Sequence, residues 1–153
     1  MLPRRLFRRR RLCKRQTSIT AHYRKYRPVA ELILRYKVDY WNQVLRYPVK
    51  RITIRNQRSR WGSCSAAGNV NLNYKLIFLP EELLDYVVVH ELCHLIELNH
   101  SPAFWKLVED VLPQYRVYQC ELRAYERDLK LDDKYLEQYH KILHVLPKNK
   151  KIK

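Results

Sequence analysis

From Ser18 to Arg46, apolar and aromatic side chains recur at helical spacing: Val29, Leu32, Ile33, Tyr36, Tyr40 and Val44. This stretch reads as a helix that Pro28 starts or kinks. The period then changes. Over residues 49–55, Lys50, Ile52 and Ile54 alternate with Arg51, Thr53 and Arg55, the two-residue repeat of a strand. Ala66-Ala67-Gly68-Asn69 reads as a turn, and behind it Val70, Leu72 and Tyr74 alternate with Asn69, Asn71 and Asn73. A short apolar run, Leu76 to Leu79, ends at Pro80, which suits the first position of a helix. Glu81 and Glu82 follow at the positive end of its dipole. That helix is expected to reach Leu98 or Asn99. Ser101 caps the next one, with Pro102 behind it, and it ends near Pro113. Two more amphipathic helices are expected over residues 115–130 and 133–145. The order predicts an α+β, helix-rich class with a small antiparallel sheet.

A chain of 153 residues has room for one domain with a real core. Its two glycines, Gly62 and Gly68, exclude both a dinucleotide fingerprint and a P-loop, which need clustered glycines. No apolar run approaches the ~18 residues of a membrane span. The formal charge of +16 is uneven: residues 1–30 hold eleven Lys/Arg and no acid, and residues 148–153 add four lysines. What lies between is nearly neutral. The expected organisation is a basic arm over residues 1–17, one domain over 18–147 and a basic tail over 148–153. Such ends favour nucleic acid or another polyanion, or they serve only as solubilising tails. The start has no apolar segment of a secretory signal; it is acid-free like a transit peptide but poor in serine. Cys13, Cys64, Cys93 and Cys120 form no CxxC pair, which points to buried thiols in a reducing compartment and so to the cytoplasm.

One motif carries chemistry. His90-Glu91-Leu92-Cys93-His94 is an HExxH pattern inside an expected helix. At about 100° per residue the two imidazoles leave the same face one turn apart, with Glu91 ~60° beyond His94. Glu91 is thus beside a metal position and suited to act as general base toward a metal-activated water. Val88, Val89, Leu92, Leu95 and Ile96 occupy the opposite arc and face the core. His100 lies six residues past His94, where the chain can turn back, helped by a left-handed Asn99. Three histidines with an open fourth position make a catalytic zinc site rather than a structural one. The bland alternative is two core histidines and a surface one; Glu109, Glu121 and Glu126 are substitutes for the third ligand. His140 and His144 repeat the spacing, but Lys141 stands where the glutamate would be, so they read as ordinary helix-face residues.

The sequence resembles the YgjP-type predicted metallopeptidases, relatives of the SprT-like and minigluzincin zincins. The resemblance rests on Arg60-Trp61-Gly62-Ser63-Cys64-Ser65, Gly68, Asn73, Pro80, Asp85 to His94, Asn99-His100-Ser101 and Phe104-Trp105. It implies a zincin-like domain with its sheet before the HExxH helix, one zinc per chain on His90, His94 and His100, and Glu91 as catalytic acid/base. Asn73-Tyr74-Lys75-Leu76 departs from the family's Asn-Trp-Arg-Leu. Zincins also pair an extended peptide with an edge strand, a role expected here of residues 69–74. Arg58, Arg60, Trp61, Asn71, Asn73 and Lys75 are the expected substrate-binding residues. Cys64 is a packed thiol or, less simply, a nucleophile.

These features point first to a zinc-dependent peptidase acting on a peptide or protein. A divalent-metal nucleotide phosphohydrolase is the alternative, motivated by the acid-free cluster Arg46, Lys50, Arg51, Arg55, Arg58 and Arg60, with Lys75, which suits a triphosphate. A nucleic-acid- or ribosome-associated module with structural zinc is the third.

Overall fold

The computed structural model describes the backbone of residues 5–57 and 59–129 and the side chains of residues 21–57 and 59–125. Arg58, the side chains of the basic arm and of Glu126, the helix expected over 133–145 with His140 and His144, and the tail over 148–153 lie outside the described residues.

The first helix, α1, spans Arg5–Leu45 and holds Pro28 inside it, so that proline does not start the helix. α1 also runs unbroken through the boundary expected at residue 17. Its buried face is Tyr26, Ala30, Leu34 and Val38, every fourth residue. The stripe read from the sequence is rotated off this face. Val29, Leu32, Tyr36, Tyr40 and Val44 are exposed, and Ile33 is partly buried. Both arcs carry apolar residues at the helical period, and a period alone does not fix the phase. The helix stops where Arg46 enters the left-handed region (φ 56°). There the Asn42 amide donates to the Tyr47 carbonyl (3.1 Å) and accepts from the Tyr47 N–H (2.9 Å).

Three strands follow: β1 (Arg51–Arg55), β2 (Gly62–Cys64) and β3 (Asn69–Asn73), in the spatial order β1-β3-β2. β2 pairs antiparallel with β3, but β1 pairs parallel with it, so the sheet is mixed rather than antiparallel. β3 takes the centre because Val70 and Leu72 are fully buried. Residues 69–73, expected at an edge, are therefore paired on both sides, and the edge strand that lies against the next helix is β2. The β2–β3 turn needs its glycine: Gly68 has φ +81°, and a Cβ there would sit 2.9 Å from the Pro48 carbonyl oxygen.

The apolar run after β3 coils into a 3-10 turn, Tyr74–Phe78, rather than continuing the strand. Pro80 then caps α2 (Glu81–Cys93), one position before the expected place. α2 is buried nearly all round, through Leu83, Leu84, Val87, Val88, Val89, Leu92 and Cys93, as befits a central helix. Lys37 of α1 ties to its first turns, donating to Asp85 (3.0 Å) and to Glu81. α2 ends about a turn earlier than expected. The chain turns through residues 94–97, with Leu95 N–H on the Leu92 carbonyl and Glu97 N–H on the Cys93 carbonyl. Arg46 is the one non-glycine with positive φ among the described residues, so this exit does without a left-handed Asn99. α3 (Pro102–Val111) starts on Ser101, whose hydroxyl accepts from the Phe104 N–H (3.2 Å), and α4 spans Tyr115–Leu129. No helix among the described residues is long and apolar enough to cross a membrane.

Candidate active site

His90 and Glu91 sit in the last turn of α2, His94 is its C-cap, and the exit loop returns His100 to the same place. One nitrogen of each imidazole lies within 4.8 Å of the others. Among the described residues this is the one group of His, Cys, Asp or Glu side chains so placed, and neither Glu109 nor Glu121 joins it.

The rings are oriented from outside. His94 Nδ1–H donates to the Glu97 carbonyl (3.0 Å), which leaves its Nε2 as the free acceptor. His90 and His100 face each other through their Nε2 atoms at 3.1 Å, a separation at which the pair shares one proton or a cation. Phe104 of α3, fully buried, touches all three rings: its centroid is 4.9 Å from His90, 4.4 Å from His94 and 4.8 Å from His100. Trp105 stacks on His100 (5.5 Å) and on Tyr115 (5.2 Å).

Burial, then the charges of His94 and His100, pushes the His90 pKa down to about 3; burial also lowers that of His94. Neutral imidazoles are what a metal requires of its ligands. The three imidazole nitrogens are close enough together to fit a divalent metal ion.

Glu91 is buried beside them. Burial, opposed in part by the charge of Arg60, pushes its carboxyl up to about 8. Gly62 lies against its Cγ, Cδ and Oε1, while Oε2 is buried with no hydrogen-bond partner among the described residues.

The expected substrate residues divide. Arg60 is exposed and near enough to act on Glu91, and Trp61 leads into the edge strand β2. Asn73 is buried and occupied: its amide donates to the Gln57 (2.9 Å) and Arg60 (2.8 Å) carbonyls, and its Oδ1 accepts from the Lys75 N–H (3.2 Å). Asn71 pairs with Ser63, so it shares the sheet face opposite Gly62 and Cys64. There its Oδ1 accepts from Arg55 Nε (2.9 Å) and its amide donates to Ser63 Oγ (3.3 Å). Lys75 lies partly buried in the 3-10 turn. Cys64 has its thiol pushed up to about 11 by burial and by Glu91, which makes it a packed thiol rather than a thiolate nucleophile. Sequence reasoning named Gly62 and Phe104 only as marks of the resemblance, without a role, and missed the Glu97 carbonyl; these act through shape and backbone rather than through reactive side chains.

Comparison with known proteins extends this geometry. UTP pyrophosphatase from Escherichia coli (strain K12) is 40% identical over 52 residues, 34% of this chain and 31% of that protein. The match thus spans about a third of the relative's length. The crystal structure of the metallopeptidase zymogen of Pyrococcus abyssi abylysin shares the fold, with a TM-score of 0.55 and 24% identity over 60% of this chain and 93% of that one. The model of the YgjP-like metallopeptidase domain matches residues 8–125, from α1 through the sheet and the three histidines into α4. The chain belongs to the YgjP-like metallopeptidase family.

Proposed function

We propose that this protein is a zinc-dependent peptidase, with one zinc per chain on His90, His94 and His100 and with Glu91 moving the protons. The observation that carries the reading is the convergence of three imidazoles, one nitrogen of each within 4.8 Å of the others, beside a buried carboxyl. Zinc, when bound, supplies a Lewis acid that acidifies water and polarises the scissile carbonyl. Glu91 takes a proton at Oε2, which has no other partner among the described residues, and returns it to the leaving amine. The free edge of β2 offers backbone groups to an extended peptide, and Arg60 and Trp61 flank it, with Arg58 and Lys75 as further contacts. Asn71 and Asn73 are left out of this set because their amides are already engaged.

A second reading is nucleotide phosphohydrolysis by the same centre. It is favoured by Arg60, whose charge reaches Glu91, and by the relative named UTP pyrophosphatase. Pure protein incubated with peptide libraries and, separately, with nucleoside triphosphates, each with and without a chelator, separates the two. Chelator-sensitive turnover of peptides supports the first, of triphosphates the second. Turnover of neither by zinc-loaded protein rejects both and leaves a zinc-binding module. We place the protein in the cytoplasm, where the free Cys64, Cys93 and Cys120 stay reduced. Residues 1–17 and 148–153 are basic ends for a polyanion such as nucleic acid. Binding that weakens steeply with salt, and less steeply once residues 1–17 are removed, is the expected sign.

A further inference from the structure

We infer that Gly62 is a positioning residue for Glu91: the missing side chain on the edge strand is the seat that holds the carboxyl in place. This rests on the reading of Glu91 as the proton-transfer group. A Cβ built on Gly62 falls 2.6 Å from Glu91 Cγ, Cδ and Oε1 alike, where ordinary contacts begin at about 3.4 Å. The glycine is not there for its backbone freedom. Gly68, not Gly62, is the glycine with positive φ, so an alanine at position 62 is excluded by space and not by conformation.

Neither wall of the seat yields easily. On the strand side, the Asn73 N–H donates to the Trp61 carbonyl (2.7 Å) and the Asn73 amide holds the Arg60 carbonyl (2.8 Å). Gly62 itself is in register with fully buried Leu72. On the helix side, Val88, Val89 and Leu92 are fully buried and anchor α2 on both sides of Glu91. The part left to move is the Glu91 side chain. Its displacement by most of an ångström changes where the carboxylate stands relative to the three histidines, and misplacement on that scale costs on the order of 100-fold in rate. Asn73 thus acts two steps away, by pinning the strand that shapes the seat.

The test is a double-mutant cycle built on Gly62→Ala, Glu91→Ala and the double variant, read by urea unfolding of the metal-free protein, by zinc content and by turnover. Gly62→Ala is expected to lower the unfolding midpoint, to keep zinc and to lose about 100-fold in turnover. In the Glu91→Ala background the added methyl enters vacated space. There it should leave the midpoint unchanged or raise it, and should not reduce the residual rate further. Should Gly62→Ala fail to fold, folding of the double variant gives the same support, and failure of both overturns the inference. An equal midpoint loss in both backgrounds also overturns it, since the clash would then lie elsewhere. Near-normal turnover of zinc-loaded Glu91→Gln is a different failure: it rejects Glu91 as the base while the unfolding cycle still reports whether Gly62 seats it.

Discussion

Replacing Glu91 with glutamine should stabilise the metal-free protein, and by an amount that grows with pH. Burial raises the Glu91 carboxyl from 4.5 to about 8 in the folded chain. A folded-state pKa above the unfolded value means that the group's contribution is intact below about pH 4.5 and is lost as the pH climbs through about 8. Between those limits each pH unit costs the wild type ~1.4 kcal/mol. The accumulated cost is about 3 kcal/mol at neutral pH and approaches ~5 kcal/mol in mild alkali. Glutamine has nearly the same shape and never ionises, so it escapes this loss. Its buried amide adds an offset, but one that does not vary with pH. His90 and His94 titrate in both proteins and largely cancel in the difference. Urea unfolding of both zinc-stripped proteins from about pH 5 to about pH 9 measures that difference directly. The stability gap should open steadily to about pH 8, level off above it, and close again when zinc is restored, because a cation beside the carboxylate lowers its pKa. A gap that stays constant with pH refutes the reasoning, for it means that the carboxyl is solvated or neutralised in some other way.

Other outcomes follow from the packing around the site. Phe104→Leu removes the ring that all three imidazoles share; zinc affinity by competition with a chelator should fall at least about 10-fold, while the melting temperature drops only modestly. His100→Ala should weaken zinc retention as much as His94→Ala, as elemental analysis of the purified proteins will show, whereas Glu109→Ala and Glu121→Ala should keep it. Lys37→Met leaves Asp85 without its cation in a largely buried place and should cost about 2 kcal/mol by urea unfolding; Glu81→Gln, at the exposed end of the same network, should cost less than ~1 kcal/mol.

Much of the fold can be read where one signal has one meaning. Ser101-Pro102 starts α3, the apolar period of α4 begins at Tyr115, and Gly68 marks a turn that needs its left-handed φ. The reading fails where a signal is degenerate. In α1 the arc of Val29, Leu32, Tyr36 and Tyr40 is as apolar as the arc of Tyr26, Ala30, Leu34 and Val38, and what lies outside the helix decides which of them is buried. Strand order has the same difficulty. The alternation in β1 and β3 shows two strands but not that β3 sits between β1 and β2, because that depends on which strand most needs cover on both sides. The sheet's parallel pair therefore escaped, and with it the identity of the edge beside α2.

The candidate site divides along the same line. His90, Glu91 and His94 come from one turn of one helix, and His100 from the loop directly after it, so local geometry alone brings them together. The groups that aim them come from elsewhere: Phe104 from the next helix, Gly62 from a strand some thirty residues earlier, and Asn73 from the strand beside that one. Reactive side chains announce themselves by type, whereas a seat is defined by an absence, and an absence has meaning only once its neighbours are known. Asn73 illustrates the cost of reading by type alone. A polar residue on a strand before the HExxH helix looks like a substrate contact, yet both of its side-chain donors and one of its acceptor positions go to the chain's own backbone. A buried amide with both donors engaged has at most one acceptor lone pair left to offer a substrate. Its role is to hold Gln57, Arg60 and Trp61, and so the place of the edge strand over Glu91.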